Sequence, residues 1–146
     1  MLFVAAFTFT DCSKKSSNPT PTTNNNTTQS PNTFTISGGS AEALTVSAPS
    51  GSGYVIKGTG TTGTYTGLLV NCPSKPTSSG TFSLGGSTIT AIAIADNTSG
   101  PNYWIASSGN VTITISGTSV TFTFTNLTFV GSSPASLTAS GSITGN

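Results

Sequence analysis

The stretch V-T-I-T-I-S-G-T-S-V-T-F-T-F-T, residues Val111–Thr125, decides the fold. Apolar residues alternate with Thr or Ser on both sides of the dipeptide Gly117-Thr118. Strict alternation around a two-residue loop that begins with Gly is typical of a β-hairpin with a type II′ turn. Because that turn fixes the register, three apolar pairs share one face: Ile115 with Val120, Ile113 with Phe122, and Val111 with Phe124. An isolated hairpin is only marginally stable in water, so the rest of the chain must cover this face.

The chain from Thr33 onward continues as short apolar segments separated by Gly, Ser, Pro and Asn. None has a sustained 3.6-residue period, so we expect essentially no helix. The pattern predicts a single all-β domain over residues 33–146, an antiparallel β-sandwich or small open barrel built from sequential hairpins. The alternation changes phase at Ile89 and across Asn126, where we expect bulges or bends. The predicted strands are Thr33–Ser37, Ala43–Ala48, Tyr54–Gly58, Gly63–Val70, Gly80–Leu84, Ser87–Ala95, Asn102–Ser107, Asn110–Ser116, Ser119–Thr125, Leu127–Val130 and Ser136–Thr144.

Charged residues make up only 5% of the chain, against about 25% in an ordinary globular protein. The net charge is +1, and there is no Arg and no His. A nucleic-acid partner is therefore not expected, because binding one requires a basic stripe of Lys and Arg. Within the predicted domain the carboxylates are Glu42 and Asp96, which we interpret as solvated surface acids rather than a glycosidase pair. We expect no enzymatic activity, no cofactor and no metal site.

Residues 1–12 contain a short apolar run, L-F-V-A-A-F-T-F, that leads to Cys12. The run is far shorter than the ~20 residues of a membrane-spanning helix and is typical of a signal peptide. Residues 13–32 are rich in Pro, Asn, Thr and Ser and predict a disordered, flexible linker. An apolar run, a cysteine and a polar linker together resemble the start of bacterial lipoproteins, especially those of the Bacteroidota.

That resemblance implies that the chain is cleaved before Cys12 and that Cys12 carries the lipid. The protein would then be anchored in the cell envelope, in the outer membrane, on a face that the sequence does not identify. The alternatives are the signal of a soluble exported protein, or a ragged N-terminal strand with an ordinary cysteine. The other cysteine, Cys72, lies in a Pro-rich turn. We expect it to be a free, buried thiol if Cys12 is acylated, and a disulfide between the two becomes possible otherwise.

Four stretches of the predicted domain resemble a second, more specific group: Ser79–Leu84 (S-G-T-F-S-L), Tyr103–Ile115 (Y-W-I-A-S-S-G-N-V-T-I-T-I), Val120–Phe129 (V-T-F-T-F-T-N-L-T-F) and Ala139–Gly145 (A-S-G-S-I-T-G). They look like the C-terminal part of a Bacteroidota lipoprotein family of unknown function, the DUF6252-like group. The likeness extends roughly from Lys57 to the end. It implies an envelope location and an all-β fold, and it brings no catalytic residues.

One candidate binding site lies around the aromatic pair Tyr103 and Trp104. Neighbours on a strand face opposite sides, so one ring is expected in the core and the other outside. An exposed ring beside Asn97 and Asn102 would suit stacking on a sugar. Packing of both rings in the core is the simpler alternative. The same loop offers oxygen atoms to calcium but lacks the spaced carboxylates of a calcium loop, so we interpret it as a turn.

The polar face of the hairpin is a second candidate. It carries an uncharged row of Thr side chains: Thr112, Thr114, Thr121 and Thr123. Regular Thr arrays resemble the ice-binding faces of other proteins, and the simpler explanation is the high β-propensity of Thr. We therefore expect a non-catalytic, lipid-anchored envelope protein with an accessory or binding role. Its expected partners are the membrane, through the lipid, and a glycan or another envelope protein.

Overall fold

The computed structural model describes residues 32–51, 53–98 and 101–146. They form eleven β-strands and no helix, which confirms the all-β prediction. The described part of the chain accordingly offers no helix long and apolar enough to cross a membrane. The strands are β1 (Thr33–Ile36), β2 (Ala41–Ala43), β3 (Thr45–Val46), β4 (Tyr54–Thr59), β5 (Tyr65–Cys72), β6 (Gly80–Ser83), β7 (Ala91–Asp96), β8 (Tyr103–Ser108), β9 (Asn110–Ser116), β10 (Ser119–Val130) and β11 (Ser136–Gly145).

The predicted signal region, Cys12 and the linker as far as residue 31 lie outside the described residues. Asn32, which the sequence analysis assigned to the linker, is bound to the domain. Its side-chain oxygen accepts a hydrogen bond from the Thr144 amide at 2.8 Å. Its carbonyl accepts one from the Leu44 amide, also at 2.8 Å. The folded part therefore includes Asn32.

The hairpin of β9 and β10 has the predicted register at every pair. Gly117 has a φ of 59°, as the first central residue of a type II′ turn requires. The apolar face of the hairpin is covered by the other strands, and burying each Phe contributes roughly 1.5–3 kcal/mol. The largest fully buried side chains of the domain include Trp104, Phe34, Phe122, Phe124 and Phe129.

All eleven strands belong to one antiparallel sheet that nearly closes on itself, so the domain is barrel-like. The strand order is β2-β1-β11-β10-β8-β7-β5-β4-β3, with β9 pairing with β10 and β6 with β9. The two ends of this order, β2 and β3, are separated along the chain by Leu44 alone. We call residues 41–46 the closing segment. It pairs with β1 through its first half and with β4 through its second half, and it thereby brings the two ends of the sheet together.

Glu42 holds the closing segment against the loop between β4 and β5. Its carboxylate accepts hydrogen bonds from the Thr62 hydroxyl at 2.6 Å and the Thr62 amide at 2.9 Å. These two bonds are the largest of the effects that lower the pKa of the Glu42 carboxyl. The prediction that Glu42 is a solvated surface acid is wrong, because only 5% of the residue is exposed.

Of the two predicted phase changes, the structure contains one as a bulge. Asn126 has a φ of 52°, and the register of β10 against β11 shifts between Phe124 and Leu127. This bend divides β10 into a part that pairs with β9 and a part that pairs with β8. At the other, Ile89, there is no strand to bulge: β7 begins at Ala91, so the predicted strand start at Ser87 is wrong, and Ile89 is a buried residue of the preceding connection.

Candidate functional site

A groove of about 480 Å³ lies on the outer surface of β4, β5, β7 and β8. Two rows of paired residues cross these strands. One row runs Lys57, Leu69, Ala93, Ile105, and the other runs Thr59, Gly67, Ala95, Tyr103. Outward-facing residues of a sheet alternate with core residues, and here the middle strands carry the small residues Gly67, Ala93 and Ala95 beside the larger Leu69. The Gly and Ala residues therefore form a low apolar floor between larger side chains on β4 and β8.

Tyr103 stands at the β8 side of the groove and is 59% exposed. Among the described residues it is one of three large apolar residues with high exposure, together with Ile105 and Val130, which pair with each other next to it. The expectation that Tyr103 and Trp104 face opposite sides is thus confirmed. The alternative that both rings pack in the core is wrong for Tyr103.

Trp104 is the buried member of the pair, at 1% exposed. Its indole N–H donates a hydrogen bond to the Pro134 carbonyl at 2.7 Å. Its ring meets the Tyr65 ring edge-on, with 5.1 Å between the centroids. The prediction that Trp104 contacts a ligand is therefore wrong, because the ring has no free face to offer.

The loop after β7 forms one wall of the groove and is organised by Asp96. The Oδ1 atom of Asp96 accepts hydrogen bonds from the Thr98 hydroxyl at 2.8 Å and from the backbone amide of Asn102 at 3.0 Å. Its Oδ2 accepts one from the Asn102 side-chain amide at 2.8 Å. The Asn102 side chain, followed by Thr98, lowers the pKa of the Asp96 carboxyl. Both oxygens thus have partners within their own loop.

The two predicted amide side chains consequently differ in their positions. Asn97 lines the groove, and its side-chain amide donates to the Gly63 carbonyl at 3.2 Å. Asn102 supports the wall through Asp96 and does not line the groove. Across the described ranges, no group of three or more His, Cys, Asp or Glu side chains could hold a metal ion.

The second predicted surface is wider than the hairpin that suggested it. Thr112 and Thr123 belong to a hydroxyl row across β6, β9, β10, β11 and β1 that reads Thr81, Thr112, Thr123, Ser142, Thr33. Neighbouring hydroxyl oxygens in the row lie 3.4 Å apart between Thr81 and Thr112 and between Thr123 and Ser142. Thr114 pairs with Thr121, whose hydroxyl lies 2.9 Å from that of Thr144. Ser142 is buried at 4% exposed, so the row is accessible as a continuous surface over β6, β9 and β10. We call this surface the hydroxyl face.

Cys72 is a core residue and has no exposed thiol. It is fully buried and free, and burial raises the pKa of its thiol to about 11. This agrees with the free, buried thiol expected if Cys12 is acylated, while Cys12 itself lies outside the described residues.

Most of the groove was not predicted from the sequence, including Lys57, Thr59, Leu69 and Ala93. A usable signal was present in β7, which reads A-I-A-I-A-D. Its outward positions before Asp96 are Ala, whereas the outward positions of β9 are Asn, Thr or Ser. Apolar residues in both phases of a strand indicate that its outer surface is less polar than that of an ordinary solvent face.

The chain matches no family model, no curated protein and no solved structure.

Proposed function

We propose that the protein is a non-catalytic carbohydrate-binding module of the bacterial cell envelope, anchored through a lipid on Cys12. The observation that carries the binding role is the groove beside the exposed ring of Tyr103. Its volume of about 480 Å³ falls within the range of roughly 300–1,000 Å³ that is usual for ligand sites. The anchor and the envelope location rest on the N-terminal pattern of the sequence.

The chemistry of the groove suits a sugar chain. An aromatic ring offers an apolar surface on which the C–H face of a pyranose can lie. The floor of Gly67, Ala93 and Ala95 leaves room for the ring. The rim supplies hydroxyl and amide groups from Thr59, Asn97 and Thr98. Such a small number of polar groups around an apolar floor is typical of sites that orient a ligand.

The carboxylates support the non-catalytic part of the proposal. A glycosidase needs one carboxyl group with a raised pKa as its acid. Glu42 and Asp96 both have lowered pKa values, and each is engaged in hydrogen bonds that serve the fold.

Binding to an array of plant, algal and bacterial polysaccharides tests the proposal. The purified chain is compared with Tyr103→Ala and with the matched control Ile105→Ala. Ile105 lies on the same strand and the same face as Tyr103, and it does not line the groove. We expect Tyr103→Ala to abolish binding and Ile105→Ala to preserve it. The proposal would be contradicted if the wild type bound none of the polysaccharides, or if Tyr103→Ala and Ile105→Ala bound equally well.

The hydroxyl face supports ice binding as a second candidate function, because the accessible uncharged row continues from the hairpin onto β6 and so covers three strands instead of two. The test is thermal hysteresis of the wild type against Thr114→Val combined with Thr121→Val. Thr61→Val, in the loop between β4 and β5, serves as the control. An unchanged hysteresis in the double variant, or none in the wild type, removes this candidate.

A further inference from the structure

The two sides of the groove differ in charge. Tyr103 lies on β8 and Lys57 on β4, three strand spacings apart, which corresponds to about 14 Å. Lys57 is exposed, and no ion pair to it is formed within the described part of the chain. Its ammonium group is therefore available to a ligand that lies across the floor.

Two other charged side chains of the described residues, Lys75 and Asp96, already form interactions within the domain. Lys75 donates a hydrogen bond to the Thr118 carbonyl at 2.7 Å and lies 5.7 Å from the centre of the Tyr54 ring. Asp96 lines the groove, but both of its oxygens accept hydrogen bonds from Thr98 or Asn102. These donors are neutral and leave the charge of Asp96 in place, so the groove carries a negative charge at the wall after β7 and the positive charge of Lys57 at the β4 side. Of the two, the Lys57 ammonium is the group left for a charged ligand.

We propose that the groove binds an acidic polysaccharide, with a carboxylate of the ligand at Lys57 and a pyranose face on Tyr103. This inference rests on the proposed carbohydrate-binding function and specifies its ligand class. The concave shape and the hydroxyl and amide rim favour a chain molecule over a flat lipid surface. The groove crosses the middle of the sheet, where the strands are already paired, so an extended peptide cannot bind there by adding a strand.

The test uses short oligomers of polygalacturonate and the same oligomers with their carboxylates converted to methyl esters. The two probes differ in charge and share one backbone. The full chain is compared with Lys57→Gln and with Lys75→Gln, the matched control outside the groove, by calorimetry at low and physiological salt. We expect the wild type and Lys75→Gln to prefer the acidic oligomer, and the preference to weaken with salt. Lys57→Gln should bind the acidic oligomer about two- to fivefold more weakly and lose the preference.

The failures of the two proposals are distinguishable. Equal affinity for acid and ester, or an unchanged preference in Lys57→Gln, overturns the acidic ligand and leaves carbohydrate binding in place. Absence of binding to these oligomers and to every neutral polysaccharide of the array overturns both. Binding to vesicles of anionic phospholipid that depends on Lys57, without binding to either oligomer, would overturn the acidic glycan in favour of a lipid surface.

Discussion

Replacing Gly60 by Ala places a methyl group where the side chain of Glu42 lies. An ideal Cβ at residue 60 would overlap Glu42 Oε1 and lie 2.5 Å from its Cγ and 2.6 Å from its Cδ. No real Cβ contact is that short, so the carboxylate must leave its position. Its departure breaks both hydrogen bonds with Thr62. The variant thus removes the contact between Glu42 and Thr62, while the backbone pairing of the closing segment with β1 and β4 is retained.

The expected cost follows from those two bonds. A hydrogen bond to a charged group contributes about 1.5–3 kcal/mol. Thr62 is exposed, so water can replace the lost partner, and we expect about 2 kcal/mol in total for Glu42→Ala. Gly60→Ala recovers roughly 0.4–1 kcal/mol because Ala restricts the unfolded chain. It should therefore cost somewhat less, about 1–1.5 kcal/mol.

The measurement is urea unfolding followed by the fluorescence of Trp104, which is the single tryptophan and is buried. At a slope of about 1–3 kcal/mol per molar urea, a loss of 2 kcal/mol lowers the midpoint by roughly 1 M. Thr61→Ala, at the exposed neighbouring position, is the control and should change little. The double variant should cost about 1–1.5 kcal/mol, as much as Gly60→Ala alone, because both changes remove the same contact and the restriction of the unfolded chain by Ala at this position is retained. Additive costs, or a cost below about 0.5 kcal/mol for Glu42→Ala, would refute the role of Glu42 in closing the sheet.

Three further outcomes are expected. The midpoint of urea unfolding should be constant from neutral pH to about pH 5 and should decrease as the pH falls below the ordinary carboxyl pKa values of 4.5 and 3.8, because the folded state lowers the pKa of Glu42 and Asp96. The midpoint of Glu42→Gln should decrease less over this range, and an equal decrease would contradict the contribution of Glu42. The thiol of Cys72 should react with a disulfide reagent at pH 8 only after denaturation, because its pKa of about 11 and its burial disfavour the thiolate; fast reaction of the native protein would contradict the buried position. Intact-mass analysis of membrane fractions should find loss of residues 1–11 and an acyl increment that Cys12→Ala abolishes, whereas an unacylated wild type would exclude the lipid anchor.

The features that the sequence predicts well are those that depend on neighbouring residues. The hairpin register follows from alternation and a single Gly-X loop, and the bulge at Asn126 follows from a break in that alternation. The separation of Tyr103 and Trp104 to opposite sides likewise needs only the two-residue period of a strand. Which of the two rings is buried depends on Pro134, 30 residues further along the chain, and no local pattern contains that contact.

The features that were missed depend on pairings between distant strands. The closing segment was predicted as one strand over residues 43–48, whereas it begins at Ala41 and bends at Leu44 to pair with two different strands. The binding of Glu42 by Thr62 joins residues 20 positions apart. The groove combines outward residues of four strands, and the hydroxyl face combines three, so neither is visible until the strand order is known.

The position of β11 between β1 and β10 has a consequence for how the domain is made. Thr33, near the start of the described chain, pairs with Ser142, so the pairing of β1 with β11 cannot form until β11 has been synthesised. Contacts of this separation form slowly compared with hairpins. A nascent chain therefore stays unclosed, with its apolar interior accessible to chaperones, until residues 136–145 have been synthesised. Premature termination within those residues would leave β1 and β10 each with one unpaired edge and would give a product prone to degradation.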